Sequence, residues 1–137
     1  ETIDYIFDRY GEQYFRDLEV KVIKEFSSKK GIVISTGGGV ILNFKNIERL
    51  KRNGMIFLLD ANIDTIVSNI QSSNASLENR PLLKDSDYLD CRIKDIYKER
   101  KKLYLSSANY IIKVDKKTCE NIGNEIIYIY KQVNSCS

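Results

Sequence analysis

The 137-residue sequence is 42% hydrophobic and 30% charged, which is typical of one globular domain with a sizeable core rather than of a disordered chain. It contains no histidine, which excludes Ser-His and Cys-His nucleophiles, and its three cysteines are too widely spaced to indicate a disulfide framework or a zinc site. The net charge is only +3 and no apolar run could span a membrane, so we expect a cytoplasmic protein without nucleic-acid or membrane partners.

Two amphipathic helices are predicted at the start of the chain. The first covers about two turns and ends at Gly11, and the second runs to a polar stop at residues 27–31. Their apolar stripes consist of Ile3, Ile6, Phe7 and Tyr10 in the first helix and Phe15, Leu18, Val22 and Phe26 in the second. Arg16 and Glu19 lie three residues apart in the second helix, so we predict an ion pair between them at the edge of the core.

A run of three glycines follows the first predicted strand. Ile32–Ser35 has the apolar, β-branched character of a short buried parallel strand. Gly37, Gly38 and Gly39 come next, where they lose backbone entropy and contribute no packing. Because open α/β sheets bind ligands beyond the carboxyl ends of their strands, we predict that a ligand approaches this backbone closely. A plain strand-to-helix turn is the alternative, although such a turn needs fewer glycines.

Helices and strands alternate through the middle of the chain. Asn43 can cap a helix that runs to about Asn53. The apolar run Met55–Asp60 is typical of a strand that is covered on both faces. A helix then begins after Asn62 or Asp60 and carries its apolar residues at helical spacing.

A long polar segment, residues 71–79, precedes Arg80 and Pro81. Loops of this length are uncommon in compact α/β domains unless they form a functional lid or are disordered. Pro81 biases the backbone of Arg80 toward extended conformations. We therefore predict that Arg80 acts on an anion from a lid, and a solvated loop arginine is the alternative.

The last part of the chain is predicted to hold a helix at about residues 86–107, a strand at residues 108–114 and a final helix. Arg100 lies on the apolar face of the first of these helices, four residues from both Ile96 and Tyr104. Its guanidinium must either reach solvent or bind an anion, because burying it unpaired is costly. Strands that alternate with helices predict an α/β fold with a parallel sheet.

Five short motifs, in this order and at these spacings, resemble the shikimate kinase family. They are residues 4–7 with Gly11-Glu12, residues 15–19, residues 35–39, residues 80–83, and Glu99-Arg100 with Leu103-Tyr104. The resemblance implies one domain over residues 1–137 with a lid at about residues 72–87. It also implies a P-loop kinase-like parallel sheet flanked by helices, in three αβα layers. The expected activity is Mg²⁺-dependent transfer of the γ-phosphoryl group of ATP to the 3-hydroxyl of shikimate, on the route to chorismate and the aromatic amino acids.

The resemblance also implies roles for single residues on the substrate side. Arg16 and Arg100 would bind the shikimate carboxylate, for which bidentate arginine geometry is well suited. Glu19 would hold Arg16 in place. Gly37, Gly38 and Gly39 would bring backbone amides against the ligand, where any Cβ would collide with it.

The resemblance implies fewer residues for the binding of ATP and magnesium. Arg80 would close onto the ATP phosphates as the catalytic cation, and Ser35 would approach the magnesium ion through water. Lys116 or Lys117 would lie on the far wall of the adenine site. The family's basic residue on the helix that enters the lid has no counterpart in residues 71–73. We expect a monomer.

No G-x-x-x-x-G-K-[ST] phosphate loop occurs in the sequence, which begins with Glu1 rather than Met. We therefore expect a C-terminal part of a longer kinase, lacking the N-terminal βαβ portion and inactive by itself. Two other hypotheses stay open. One is a different small-molecule P-loop kinase, such as a gluconate kinase, and the other is a noncatalytic remnant that binds shikimate or a partner.

Overall fold

The computed structural model describes residues 1–72 and 88–136. Its elements in chain order are α1 (Ile3–Phe26), a 3₁₀ turn (Val40–Leu42), α2 (Phe44–Asn53), β1 (Phe57–Asp60), α3 (Ile63–Gln71), α4 (Leu89–Ser107), β2 (Tyr110–Lys113) and α5 (Cys119–Ser135). The predicted lid, with Arg80, lies outside the described residues apart from Ser72. Among the described helices, none is both long enough and apolar enough to cross a membrane.

The two strands pair in parallel, as the alternation of strands and helices predicted. Phe57 lies opposite Tyr110 and Asp60 opposite Lys113, and the Phe57 and Tyr110 rings stack with centroids 5.6 Å apart. Helices α3 and α4 both lie between β1 and β2 in the chain. The prediction that the first of these strands is covered on both faces is wrong at Leu59, which is 53% exposed.

The prediction of a buried strand at Ile32–Ser35 is also wrong. These residues have no regular secondary structure and pair with no strand in the described ranges. Val33 is 99% exposed and Ile32 44%. Apolar, β-branched composition indicates that a segment fits a sheet, but a strand forms only where a neighbour completes the hydrogen-bond ladder.

Helix α1 consists of two helical stretches that meet at Gly11. The side chain of Thr2 caps the first stretch by accepting a hydrogen bond from the amide of Tyr5. Gly11 interrupts the helix with φ 80° and ψ 169°, a conformation that favours glycine. The predicted break at this residue is therefore confirmed, and it sets the direction of the stretch that carries Arg16 and Glu19.

A cluster of apolar side chains joins α1, the 3₁₀ turn, α2 and α4. Its buried members are Ile23, Val40 and Ile41, and the half-buried Ile47, Leu50 and Tyr104 pack against them. The cap predicted at Asn43 is confirmed, because its side chain accepts a hydrogen bond from the amide of Lys45. These contacts hold the glycine run between the second stretch of α1 and the end of α4.

Asp60, at the carboxyl end of β1, is a buried carboxylate that ties three elements together. It is 8% exposed, accepts a hydrogen bond from the Tyr97 hydroxyl at 3.1 Å and forms an ion pair with Lys113. Burial, followed by the hydrogen bond to Asp60, raises the pKa of Tyr97. The contacts link β1 to α4 and β2, which is a structural role.

Asp115, just after β2, caps the start of α3 across the sheet. Its Oδ1 accepts hydrogen bonds from the Thr65 hydroxyl at 2.7 Å and from the amide of Asn62 at 2.9 Å. The bond from Thr65, and then that from Asn62, lowers the pKa of Asp115. The ionised carboxylate therefore stabilises the connection between β2 and α3.

We expect Asp115→Asn to lower the free energy of unfolding at neutral pH but to have little effect in strong acid. A lowered folded-state pKa stabilises the fold above the ordinary aspartate pKa, and this contribution disappears as the pH falls through the lowered value. Urea unfolding of both proteins across the acidic range measures the difference. Asp95→Asn, at an exposed position of α4, is the control, and a deficit of Asp115→Asn that persisted unchanged in strong acid would contradict the assignment.

Candidate active site

Gly37, Gly38 and Gly39 lead from the extended segment into the 3₁₀ turn. The carbonyls of Gly37 and Gly39 accept hydrogen bonds from Val40 and Leu42, at 3.3 and 3.0 Å. The amide groups of the three glycines donate no hydrogen bond to any residue in the described ranges. Three backbone donors are therefore available to a ligand at this point.

The three glycines leave room for side chains from α1 and α4. A Cβ on Gly39 would lie 2.2 Å from Nη1 of Arg16, and one on Gly38 would lie 3.0 Å from the Tyr104 hydroxyl. A Cβ on Gly37 would make only ordinary contact, at 3.9 Å from Glu19. Within the protein, the groups that approach the glycines closely are a guanidinium and a phenol. The approach of a ligand to this backbone stays a prediction.

Arg16 is held by two carboxylates. Its Nη1 donates to Glu19 at 3.2 Å, and its Nη2 and Nε donate to Glu12 at 3.1 and 3.3 Å. The predicted pair with Glu19 is confirmed, and both of its side chains are largely buried, at 18% and 14% exposure. Sequence reasoning missed the contact with Glu12, which the spacing of four residues could have indicated. The guanidinium is thereby held over Gly39.

Arg100 and Tyr104 lie one turn apart on α4. The Tyr104 hydroxyl donates to the carbonyl of Gly38 at 2.9 Å. Arg100 is half-buried and makes no hydrogen bond or ion pair with residues 1–72 or 88–136. Because residues four apart share a helix face, Arg100 lies on the face of α4 that meets the glycines. Tyr104 belongs to the last of the five family motifs, but its spacing in the sequence indicates no role for it.

An open cleft of about 420 Å³ lies beside the Arg16 guanidinium. Its polar lining includes Glu12, Arg16 and Glu19, and its apolar lining includes Leu42 and Phe44. Phe44 is 72% exposed, so a large apolar surface is available to a ligand. The cleft therefore combines the guanidinium of Arg16, which is paired with Glu12 and Glu19, with the free amide of Gly39 and apolar walls. A few convergent polar groups between apolar walls are typical of a small-molecule site.

Three residues predicted for the nucleotide side lie in the described ranges, and none of them lines this cleft; they are Ser35, Lys116 and Lys117. Ser35 is exposed, and Lys116 has a positive φ of 58° in the exposed turn after β2. Lys117 forms an ion pair with Glu125 at 2.7 Å. Within the described part of the chain, no group of three or more His, Cys, Asp or Glu side chains could hold a metal ion. Of the residues predicted for the substrate side, Arg16, Glu19 and Gly39 line the cleft.

Comparisons of the sequence with a family model and with known proteins all indicate the same family. The family model for shikimate kinase matches residues 1–131. The shikimate kinase of Caldanaerobacter subterraneus subsp. tengcongensis is 42% identical over 129 residues, which cover 94% of this chain and 72% of that protein. The shikimate kinase of a Sulfurihydrogenibium species is 38% identical over 122 residues, covering 89% of this chain and 69% of the relative.

Solved structures give the same result. A shikimate kinase from Acinetobacter baumannii in complex with shikimate superposes with a TM-score of 0.85 at 30% identity, covering 96% of this chain and 70% of that one. The enzyme from Aquifex aeolicus superposes with a TM-score of 0.70 at 32% identity, covering 96% and 73% of the two chains. The predicted αβα fold of the P-loop kinases is thereby confirmed.

Proposed function

This chain belongs to the shikimate kinase family of phosphotransferases, and we propose that its protein transfers the γ-phosphoryl group of ATP to the 3-hydroxyl of shikimate. The observation that carries the proposal is the Arg16 guanidinium, held over Gly39 by two carboxylates beside an open cleft. Such a cation, fixed before the ligand arrives, loses little entropy on binding a carboxylate. The product, shikimate 3-phosphate, would enter chorismate and aromatic amino acid synthesis.

On the substrate side, we assign the shikimate carboxylate to Arg16 and Arg100. Arg16 reaches the glycines from α1, and Arg100 lies on the face of α4 that meets them. Arg100 has no partner in the described ranges, which supports its assignment to a ligand. The free amides of Gly37, Gly38 and Gly39 would bind the ligand where a side chain would intrude.

On the nucleotide side, Arg80 is proposed to stabilise charge on the transferred phosphoryl group. Magnesium fits the described residues only through a water-mediated contact with the exposed Ser35 hydroxyl, because no cluster of acidic ligands is present among them. This limited fit agrees with the preference of Mg²⁺ for water and phosphate oxygens. When bound, the ion would neutralise phosphate charge. The contacts of Lys116 and Lys117 with adenine stay predictions, as do the single domain, the lid, the monomeric state and the cytoplasmic location.

The test is an ATP-coupled assay on the protein as its gene encodes it, since residues 1–137 contain no phosphate-loop motif. Shikimate and gluconate are compared as acceptors, and phosphorus NMR identifies the product. Turnover of shikimate with phosphate on the 3-hydroxyl is the expected result. Preference for gluconate would support the other kinase hypothesis, and binding of shikimate without turnover would support a noncatalytic remnant.

We expect Glu19→Gln to raise the KM for shikimate more than Glu12→Gln. Both glutamates hold Arg16, but Glu19 is 14% exposed and Glu12 44%. A largely buried charge pair positions its partner more strongly than an exposed one, so we expect about tenfold for Glu19→Gln and no more than about threefold for Glu12→Gln. Steady-state kinetics with varied shikimate measure the KM of both variants. A larger rise in Glu12→Gln than in Glu19→Gln would contradict the prediction that Glu19 positions Arg16 more strongly.

A further inference from the structure

The hydrogen bond from Tyr104 acts on one particular peptide group. Its acceptor, the carbonyl of Gly38, belongs to the same peptide plane as the amide of Gly39. No described peptide bond is cis, so this carbonyl and this N–H point in opposite directions. A phenol that holds the carbonyl therefore also sets the direction of the N–H, which points away from Tyr104.

Neither glycine can set this direction by itself. Without a side chain, each has a broad range of accessible backbone angles, and the Gly39 N–H makes no hydrogen bond in the described ranges. Tyr104 is well suited to the task, because its ring packs against the buried cluster of Ile23, Val40 and Ile41. Its hydroxyl therefore acts from a fixed support.

We propose that Tyr104 is a positioning residue, whose hydroxyl orients the Gly38–Gly39 peptide group so that the Gly39 N–H is presented to the ligand in the cleft. Gly39 is one of the residues that line this cleft. The inference rests on the proposed function, in which that ligand is shikimate. The same contact joins the glycine run to α4 one turn from Arg100, so the amide and the second arginine are positioned by one helix.

The test compares two Tyr→Phe substitutions on the same helix. Tyr104→Phe removes the hydroxyl but keeps the packed ring, and Tyr97→Phe removes a similar hydrogen bond, 3.1 Å long, to Asp60. We expect Tyr104→Phe to raise the KM for shikimate about three- to tenfold, the effect of one hydrogen bond, with the KM for ATP unchanged. Tyr97→Phe should change neither constant.

Amide hydrogen exchange supplies a readout that does not depend on turnover. We expect faster exchange in Tyr104→Phe, and not in Tyr97→Phe, at the amides of Val40 and Leu42, which donate to the carbonyls of Gly37 and Gly39 and so depend on the conformation of the glycine run. If wild-type protein turns over shikimate, then an unchanged shikimate KM or unchanged exchange in Tyr104→Phe overturns the role of Tyr104 alone. An equal rise of both KM values, or an equal effect of Tyr97→Phe, overturns it as well, because either would indicate general loosening. A wild-type protein without shikimate kinase activity overturns the proposed function itself.

Discussion

Arg100→Ala is expected to weaken shikimate binding by at least about a hundredfold while leaving ATP binding nearly unchanged, since each charge-assisted hydrogen bond contributes ~1.5–3 kcal/mol and a bidentate pair has two. Arg100 is half-buried and has no partner in the described ranges, so the substitution removes no internal ion pair there. We therefore expect little loss of folding stability. Calorimetric titration with each ligand, combined with urea unfolding, separates the two effects.

Two further variants test whether the loss of affinity is specific to Arg100 and whether it depends on the shape of the guanidinium. Lys102→Ala removes a charge from an exposed position of the same helix and should leave both affinities unchanged. Arg100→Lys keeps the charge but loses the planar fork, so it should restore only part of the affinity. Comparable losses of shikimate and ATP affinity in Arg100→Ala would contradict the assignment of Arg100 to the carboxylate.

Gly39→Ala is expected to raise the KM for shikimate by about tenfold or more, because a displaced Arg16 guanidinium forfeits its charge-assisted hydrogen bonds to the ligand. Gly39 has φ −87° and ψ −8°, which alanine adopts without strain. The new Cβ would lie 2.2 Å from Nη1 and 2.6 Å from Cζ of Arg16. Arg16 must therefore shift within its pairs with Glu12 and Glu19. We expect the effect on binding to exceed the effect on folding stability, because the guanidinium is the end of a long side chain and can stay close to both carboxylates.

The control for Gly39→Ala is Gly123→Ala, within α5. A Cβ at Gly123 would meet nothing within 4 Å, so we expect unchanged kinetics and a gain in stability of about 0.5–1 kcal/mol from the better helix propensity. If Gly39→Ala acts by displacing Arg16, then its effect should be small in an Arg16→Ala background. Full additivity of the two substitutions would contradict this mechanism.

The sequence by itself determined the local features of this protein. The cap at Asn43, the break at Gly11 and the ion pair between Arg16 and Glu19 each depend on residues at most four apart. The two paired strands were also located within a few residues of their observed bounds, because apolar runs between turn signals are typical of strands in parallel sheets. The family motifs indicated which of these residues to examine.

Only the tertiary structure decided what meets the glycines. Tyr104 is 66 residues from Gly38 in the chain, and no periodic pattern relates two such positions. For the same reason, the composition of Ile32–Ser35 predicted burial, whereas the structure leaves Val33 almost fully exposed. Spacing along the chain determines which side chains share a helix face, but burial and long-range hydrogen bonds depend on which elements lie beside that face.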